Sequence, residues 1–308
     1  MCPPGLVCSP ATGTCELTAV ARATDASSDG VSTDAPPAPL NDKPDQAIDV
    51  TAGGTFTADL RGAADDAPQT DCGGDGGRDV FYKVTLTAAQ VYYFDTFDSD
   101  FATVVRAIPG ADCTDLASGS GAPSCSHDEC GGMQSQLAAS LPAGTSCIVV
   151  DQHAGDLDGM LVLRVLLGGR DGTPLASGSM TYNDTSCTGV NATKPTNGCT
   201  ANDSGTSQDR GYFFTGCPGA TRMLDATTCA DASMTHYDTV LYLRPLGTTT
   251  SIACNDDDNS CMARQERPNM PDGSTLTGVA AAGASLYWLT VDGFNGACGD
   301  YQLVTNLQ

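Results

Sequence analysis

The segment Ile148, Val149, Val150, Asp151, followed by Gly155, returns as Leu289, Thr290, Val291, Asp292 and Gly296. The offset is a constant 141 residues, and it carries on from Gly159–Val165 to Asp300–Asn306. Upstream, Phe101-Ala102-Thr103-Val104-Val105 corresponds to Tyr237-Asp238-Thr239-Val240-Leu241; Cys72 corresponds to Cys199, Cys125 to Cys254 and Cys130 to Cys261. A repeat of this length far exceeds the roughly 20 to 50 residues of a solenoid unit, so each copy must bury a core of its own. At roughly 150 residues per domain, the 308 residues resolve into two similar domains.

Inside each copy the apolar runs are short, rich in β-branched and aromatic residues, and bounded by turn residues, which reads as strands rather than helices. In the first copy they span Thr55 to Leu60, Val80 to Leu86, Val91 to Asp95, Thr103 to Ile108, Ser135 to Leu141, Ser146 to Asp151 and Met160 to Leu166. Seven or eight strands at this spacing make a sandwich or jelly roll. The expected cores hold Val80, Tyr82, Val84, Val150 and Val162 in the first copy, and Tyr212, Phe214, Val240, Val291 and Leu303 in the second. The expected fold is all-β: two tandem jelly-roll-like β-sandwiches at 46–170 and 171–308. Ahead of them come a Cys-rich segment at 1–18 and a Pro/Ala/Asp-rich linker at 19–45.

Charge and cysteine content set the surroundings. With 37 acidic against 14 basic residues, the net charge is −23. Lys43, Lys83 and Lys194 are the only lysines, so no basic patch offers itself to nucleic acid. Fifteen cysteines without metal-ligand spacing argue for an oxidising compartment. Each of three clusters (Cys2 to Cys15, Cys72 to Cys147, Cys187 to Cys298) holds an odd number, so at least one Cys is expected to be free or to pair outside the chain, with some bridges crossing between clusters. No apolar run reaches the roughly 18 residues of a membrane span. Met1-Cys2-Pro3 does not open a secretory leader, so the expectation is export by another route or a longer secreted precursor.

The first copy contains Cys72-Gly73-Gly74, Asp79 and Phe81. The second contains Tyr237-Asp238-Thr239-Val240-Leu241, Cys254-Asn255-Asp256-Asp257, Gly283 and Tyr287-Trp288-Leu289-Thr290-Val291-Asp292-Gly293. Together these segments resemble the bacterial pre-peptidase C-terminal (PPC) domain over about residues 48 to 167 and 177 to 308. The first copy departs from the pattern at Ala102 and at Gln152-His153. The resemblance implies jelly-roll-like sandwiches that serve secreted bacterial proteins as targeting, solubilising or anchoring appendages; some relatives bind calcium or fibrous protein, and the catalysis sits in another domain.

The chemistry-bearing residues point the same way. His127, His153 and His236 are the only histidines, and neither a Gly-x-Ser-x-Gly elbow, a His-Glu-x-x-His helix nor a phosphate-binding glycine loop occurs. The chain is therefore expected not to be an enzyme. Cys125, His127 and Cys130 could ligate zinc, but the second copy keeps both cysteines without the histidine, which points to disulfides. Asp256, Asp257 and Asp258 gather hard oxygens suited to calcium, with Asp238 approaching from the neighbouring strand. For the disulfides, if Cys72 bonds Cys130, then Cys199 bonds Cys261 by the same correspondence; Cys113 and Cys125 flank one turn and pair, leaving Cys147 over. The function expected is a secreted or cell-surface bacterial binding or adhesion module for an extracellular protein or glycan, with calcium as the one candidate cofactor. The alternatives are the targeting appendage of a secreted protease and a surface protein that assembles with its own copies.

Overall fold

The computed structural model describes residues 6–8, 15–17, 36–67, 76–119, 124–153, 159–196, 199, 206–231, 234–261 and 273–308. Met1–Ala35 forms one unit. In it β1 (Leu6–Cys8) pairs antiparallel with β2 (Cys15–Leu17), setting Cys8 opposite Cys15. Pro36–Gln308 forms the other.

The first sandwich runs β3 (Ile48–Asp49), β4 (Gly54–Asp59), β5 (Asp79–Leu86), β6 (Gln90–Asp95), β7 (Thr103–Ile108), β8 (Ser124–His127), β9 (Gln136–Leu141), β10 (Gly144–Gln152) and β11 (Met160–Leu167). The second runs β12 (Thr173–Pro174), β13 (Gly178–Thr185), β14 (Arg210–Gly216), β15 (Thr221–Thr227), β16 (Thr239–Pro245), β17 (Ala253–Asn255), β18 (Thr275–Ala282), β19 (Ser285–Gly293) and β20 (Asp300–Leu307). Sheet orders are β3-β5-β10-β7-β8 and β4-β11-β6-β9 in the first, β12-β14-β19-β16-β17 and β13-β20-β15-β18 in the second. The two orders are identical strand for strand. In each sandwich the leading two-residue strand lies parallel at an edge and the other eight form two antiparallel sheets. The chain changes sheet at every step except β7 to β8 and β16 to β17, the winding of a jelly roll.

The repeat holds in three dimensions, with one correction. Asp151 faces Val104 as Asp292 faces Val240, so the 141-residue offset is right for β10 and β19. In the closing strand it slips by one. Leu161, Leu163 and Val165 fill the first core as Tyr301 and Leu303 fill the second, and the expected Val162 is only half-buried. Alternation sends every second side chain outward, so a one-residue error changes the face. β11 has apolar residues at both parities, and Arg164, on the outward face, decides the matter. The other expected core residues are buried, but Val240 lies on the outward side of β16 with Tyr242 and Arg244, and Leu241 and Leu243 fill the second core in its place. The end of the expected linker belongs to the body: Asn41 is buried, donating from Nδ2 to the Phe81 carbonyl and accepting the Phe81 N–H at its own carbonyl, and the Asp42 carboxylate accepts the Ala64 N–H.

The two sandwiches stack sheet on sheet. Tyr92 and Phe94 of β6 point into the first core, while Val91 and Tyr93 point outward and are equally buried. They meet Phe213 of β14 and Leu286 and Trp288 of β19, which point away from the second core. Trp288 is seated among glycines of the connection and of β14. A Cβ added at Gly168, Gly172 or Gly211 would stand 3.0, 2.5 or 2.8 Å from its ring. The connection is held to β6 by Gly168 N–H donating to the Val91 carbonyl and Val91 N–H donating to the Arg170 carbonyl.

A disulfide crosses the same seam. Cys130 pairs with Cys217 rather than Cys72, which lies outside the described residues. Cys113 pairs with Cys147, so Cys147 is not left over; Cys147 lies opposite Ile108, beside the turn that carries Cys113, whereas Cys125 sits on β8, on the other side of β7. Cys125 is disulfide-bonded too. In the second sandwich Cys199 pairs with Cys254 and Cys261 with Cys229, correcting the expected Cys199–Cys261 bridge, while Cys187 pairs with Cys298. The expectation failed because spacing names the candidates for pairing but not the strand that comes to lie beside each.

Two measurements check this arrangement. Peptide mapping without reduction should recover Cys113 joined to Cys147 and Cys130 joined to Cys217. Gly172→Ala should lower stability by about 1 to 3 kcal/mol, the usual result of overpacking a filled site, read as a lower midpoint in chemical denaturation.

Candidate functional site

The acidic loop after β17 is built by its own side chains. Asn255 accepts the Thr275 N–H at Oδ1, 2.8 Å away, and donates from Nδ2 to the Asp257 carbonyl. Asp258 accepts from the Ser260 N–H and hydroxyl at 2.8 and 2.6 Å, which holds its carboxyl below the usual range, and it lies beside the Cys229–Cys261 bridge. Ser274 Oγ shares its one proton between the carbonyls of Thr239 and Asp256, tying the loop to β16 just after Asp238. Asp256 is buried, Asp257 exposed, and Asp238 and Asp258 half-buried. Among the described residues, no three of these four carboxylates lie within 4.8 Å of one another.

Sequence reasoning missed the buried acids on the outward face of one sheet in each sandwich. Asp79 and Asp209, at or just before matching strands, accept pairs of backbone N–H groups: Asp66 and Ala67 at 2.8 and 2.7 Å in the first copy, Ala192 and Thr193 at 2.9 and 3.0 Å in the second. Each anchors the long loop before its strand. A second buried acid stands near each, Asp151 and Asp292. In the first copy Arg106 of β7 donates to Asp151 at 2.7 Å. The matching position on β16 is Tyr242, whose hydroxyl donates to Asp292. The cation of the second copy instead comes from the connection: Arg170 pairs with Asp209, donates to Thr290 Oγ1 and lies 4.6 Å over the Trp288 ring. The sequence signal was the Asp ahead of each aromatic strand; nothing in it named the arginine.

Burial pushes the Asp151 carboxyl up to about 7, with the Arg106 charge opposing and Asp79 adding repulsion. Burial pushes Asp79 up to about 6, against the pull of its two N–H donors. Burial likewise raises Asp209, with Arg170 opposing.

Arg170 also lines an open cleft at the seam. One lobe, about 240 Å³, is bounded by Arg170, Thr193, Arg244, Thr248, Trp288 and Thr290. A second, about 510 Å³, continues past Arg170 to Asp171, Asp209 and Arg210. Arg244 is fixed by donating to Ser251 Oγ and the Lys194 carbonyl and by lying over the Tyr242 ring. The cleft is therefore shaped before any ligand arrives, with hydroxyls and two guanidinium edges along one aromatic ring.

No family model matches the chain, and no curated protein does. Among solved structures it is similar to two described as "Life in the extremes: atomic structure of Sulfolobus Turreted Icosahedral Virus" and "The Triple Jelly Roll Fold and Turret Assembly in an Archaeal Virus". Identities are 7% and 6% and TM-scores 0.22 and 0.23, over 74% of this chain and 55% of each of those. The chain thus spans about half the length of these neighbours. A third, "Crystal structure of plant Receptor-like Kinase FER", is 6% identical with a TM-score of 0.21, over 82% of this chain and 86% of that one.

The raised carboxyls give a pH dependence whose sign is fixed. Between the ordinary Asp value near 4 and the folded values near 6 and 7, the folded chain holds protons that the unfolded chain has released. Stability contributed by these groups is present at pH 4 and is lost as pH rises to about 7. Denaturation midpoints measured from pH 4 to 8 should fall through that window, and Asp79→Asn should flatten the slope while keeping an oxygen acceptor.

Proposed function

We propose that this chain is a non-catalytic binding or adhesion module working outside the cell or on its surface, with the seam cleft as its ligand seat. The observation that carries the reading is the cleft itself: three of only 14 basic residues in a chain of net charge −23, Arg170, Arg210 and Arg244, line one prebuilt groove beside a tryptophan. An extracellular protein or glycan ligand that presents carboxylates or hydroxyls matches those donors and that ring face. The five described disulfides support the extracellular placement, and among the described residues no helix is long and apolar enough to cross a membrane. The non-catalytic part rests on the missing nucleophile and metal-hydrolase motifs. Kinship with PPC domains belongs to the same proposal, supported by the two jelly rolls and the shared motifs.

Purified full-length protein probed against arrays of acidic glycans and extracellular-matrix proteins tests this. Thr248 is exposed at the cleft mouth, so Thr248→Trp should fill the groove without disturbing either core. Binding should drop about tenfold or more in that variant; equal binding would move the seat elsewhere, and self-association alone would favour assembly of copies. Calcium enters the proposal at Asp256, Asp257, Asp258 and Asp238, where its donors would have to gather on binding. A calcium-dependent rise in the melting midpoint would carry that part, and identical midpoints with calcium and with chelator would remove it.

A further inference from the structure

Two of the three histidines meet on the outer face of the first sandwich. His127 ends β8 opposite Val104 of β7; His153 directly follows β10 and donates its backbone N–H to the Ala102 carbonyl. β7 lies between those strands, so both rings leave the same face of the sheet, and their centroids stand 5.6 Å apart. Asp128 takes a left-handed backbone, φ 49°, that turns its carboxylate back to His127, with Oδ2 3.3 Å from Nδ1. The donor atoms of His127, Asp128 and His153 all lie within 4.8 Å of one another.

We infer that His127, Asp128 and His153 form a site for a borderline divalent transition-metal ion, with zinc as the representative. Two imidazoles and one carboxylate suit such ions, whereas calcium calls for six or more oxygens. Around a tetrahedral ion with bonds of about 2.0 Å, donors sit about 3.3 Å apart. Asp128 and His127 already stand at that spacing, and a rotamer adjustment of His153 closes the set. Three protein ligands leave one position for water or for a ligand atom from outside. Cys125 and Cys130, the sequence-level zinc candidates, are oxidised and supply no thiolate. The jelly roll does not need these histidines: the matching places in the second copy hold Asp256 and Phe294, and Phe294 N–H makes the same backbone bond, to Asp238.

Full-length oxidised protein, stripped with chelator and then exchanged into chelator-free buffer, would be titrated with zinc chloride by calorimetry, with proton NMR of the imidazole rings in parallel. The expected result is one zinc per chain, with the His127 and His153 ring signals moving and that of His236 still. His127→Gln and His153→Phe, the latter borrowing the residue of the second copy, should each weaken zinc binding about tenfold or more while leaving the melting midpoint in chelator unchanged. The assignment is overturned if the double variant binds zinc as the native chain does, or if neither ring signal responds to zinc.

Discussion

Burying a sheet on both faces is the constraint from which most of this molecule follows. A sandwich covers one face of each of its sheets; the second face of β6 and of β14 and β19 is covered only because the copies stack. Val91, Tyr93, Phe213 and Trp288 would otherwise form an apolar patch in water, a costly exposure at roughly 25 cal/mol per Å². That seam calls for a glycine-rich connection, because any side chain at Gly172 would occupy the space of the indole ring. It also brings Cys130 within reach of Cys217, and it leaves at its rim the cleft proposed as a ligand seat.

The same stacking reshapes the electrostatics. Each sandwich buries two carboxylates on the outward face of one sheet, and buried acids left together without a cation would stay protonated or loosen the fold. The first copy answers with its own Arg106. The second has Tyr242 at that place and takes its cation from Arg170, a residue of the connection between the copies. The second sandwich is thus completed by a residue from outside its own strands, so the copies resemble each other in topology and differ in self-sufficiency.

Much of this was legible in the residues. The strand set of the first copy, its repeat in the second and the all-β class follow from alternation and from matches such as Asp151 with Asp292. What escaped has physical reasons. In β11 apolar residues occupy both parities, so the offset carried from Asp151 and Asp292 put Val162 where Leu163 belongs. β6 and β19 lack alternation because they are covered on both sides, and from sequence alone Trp288 reads as sandwich core rather than seam. Disulfide partners depend on which strand lies across the sheet. The acidic loop stood out by composition, whereas the clustering of His127 with His153 needs β7 between them and has no trace in spacing.

The stack has a direction. The face that the first sandwich offers to the second is not the face it receives: Val91 and Tyr93 are matched in the second copy by Met223 and Asp225, and the outer face there also carries Gln302 and Asn306. At the opposite end, Phe81 and Val149 are roofed by Ala67, Ile108, Ala111 and Cys113. Such a head-to-tail arrangement could in principle add copies without limit, as a filament does. Here one outer face carries Met223, Asp225, Gln302 and Asn306 and the other is covered by a folded-over loop, so neither repeats the apolar seam and that contact is made once among the described residues, much as terminal repeats differ from the inner ones of an array.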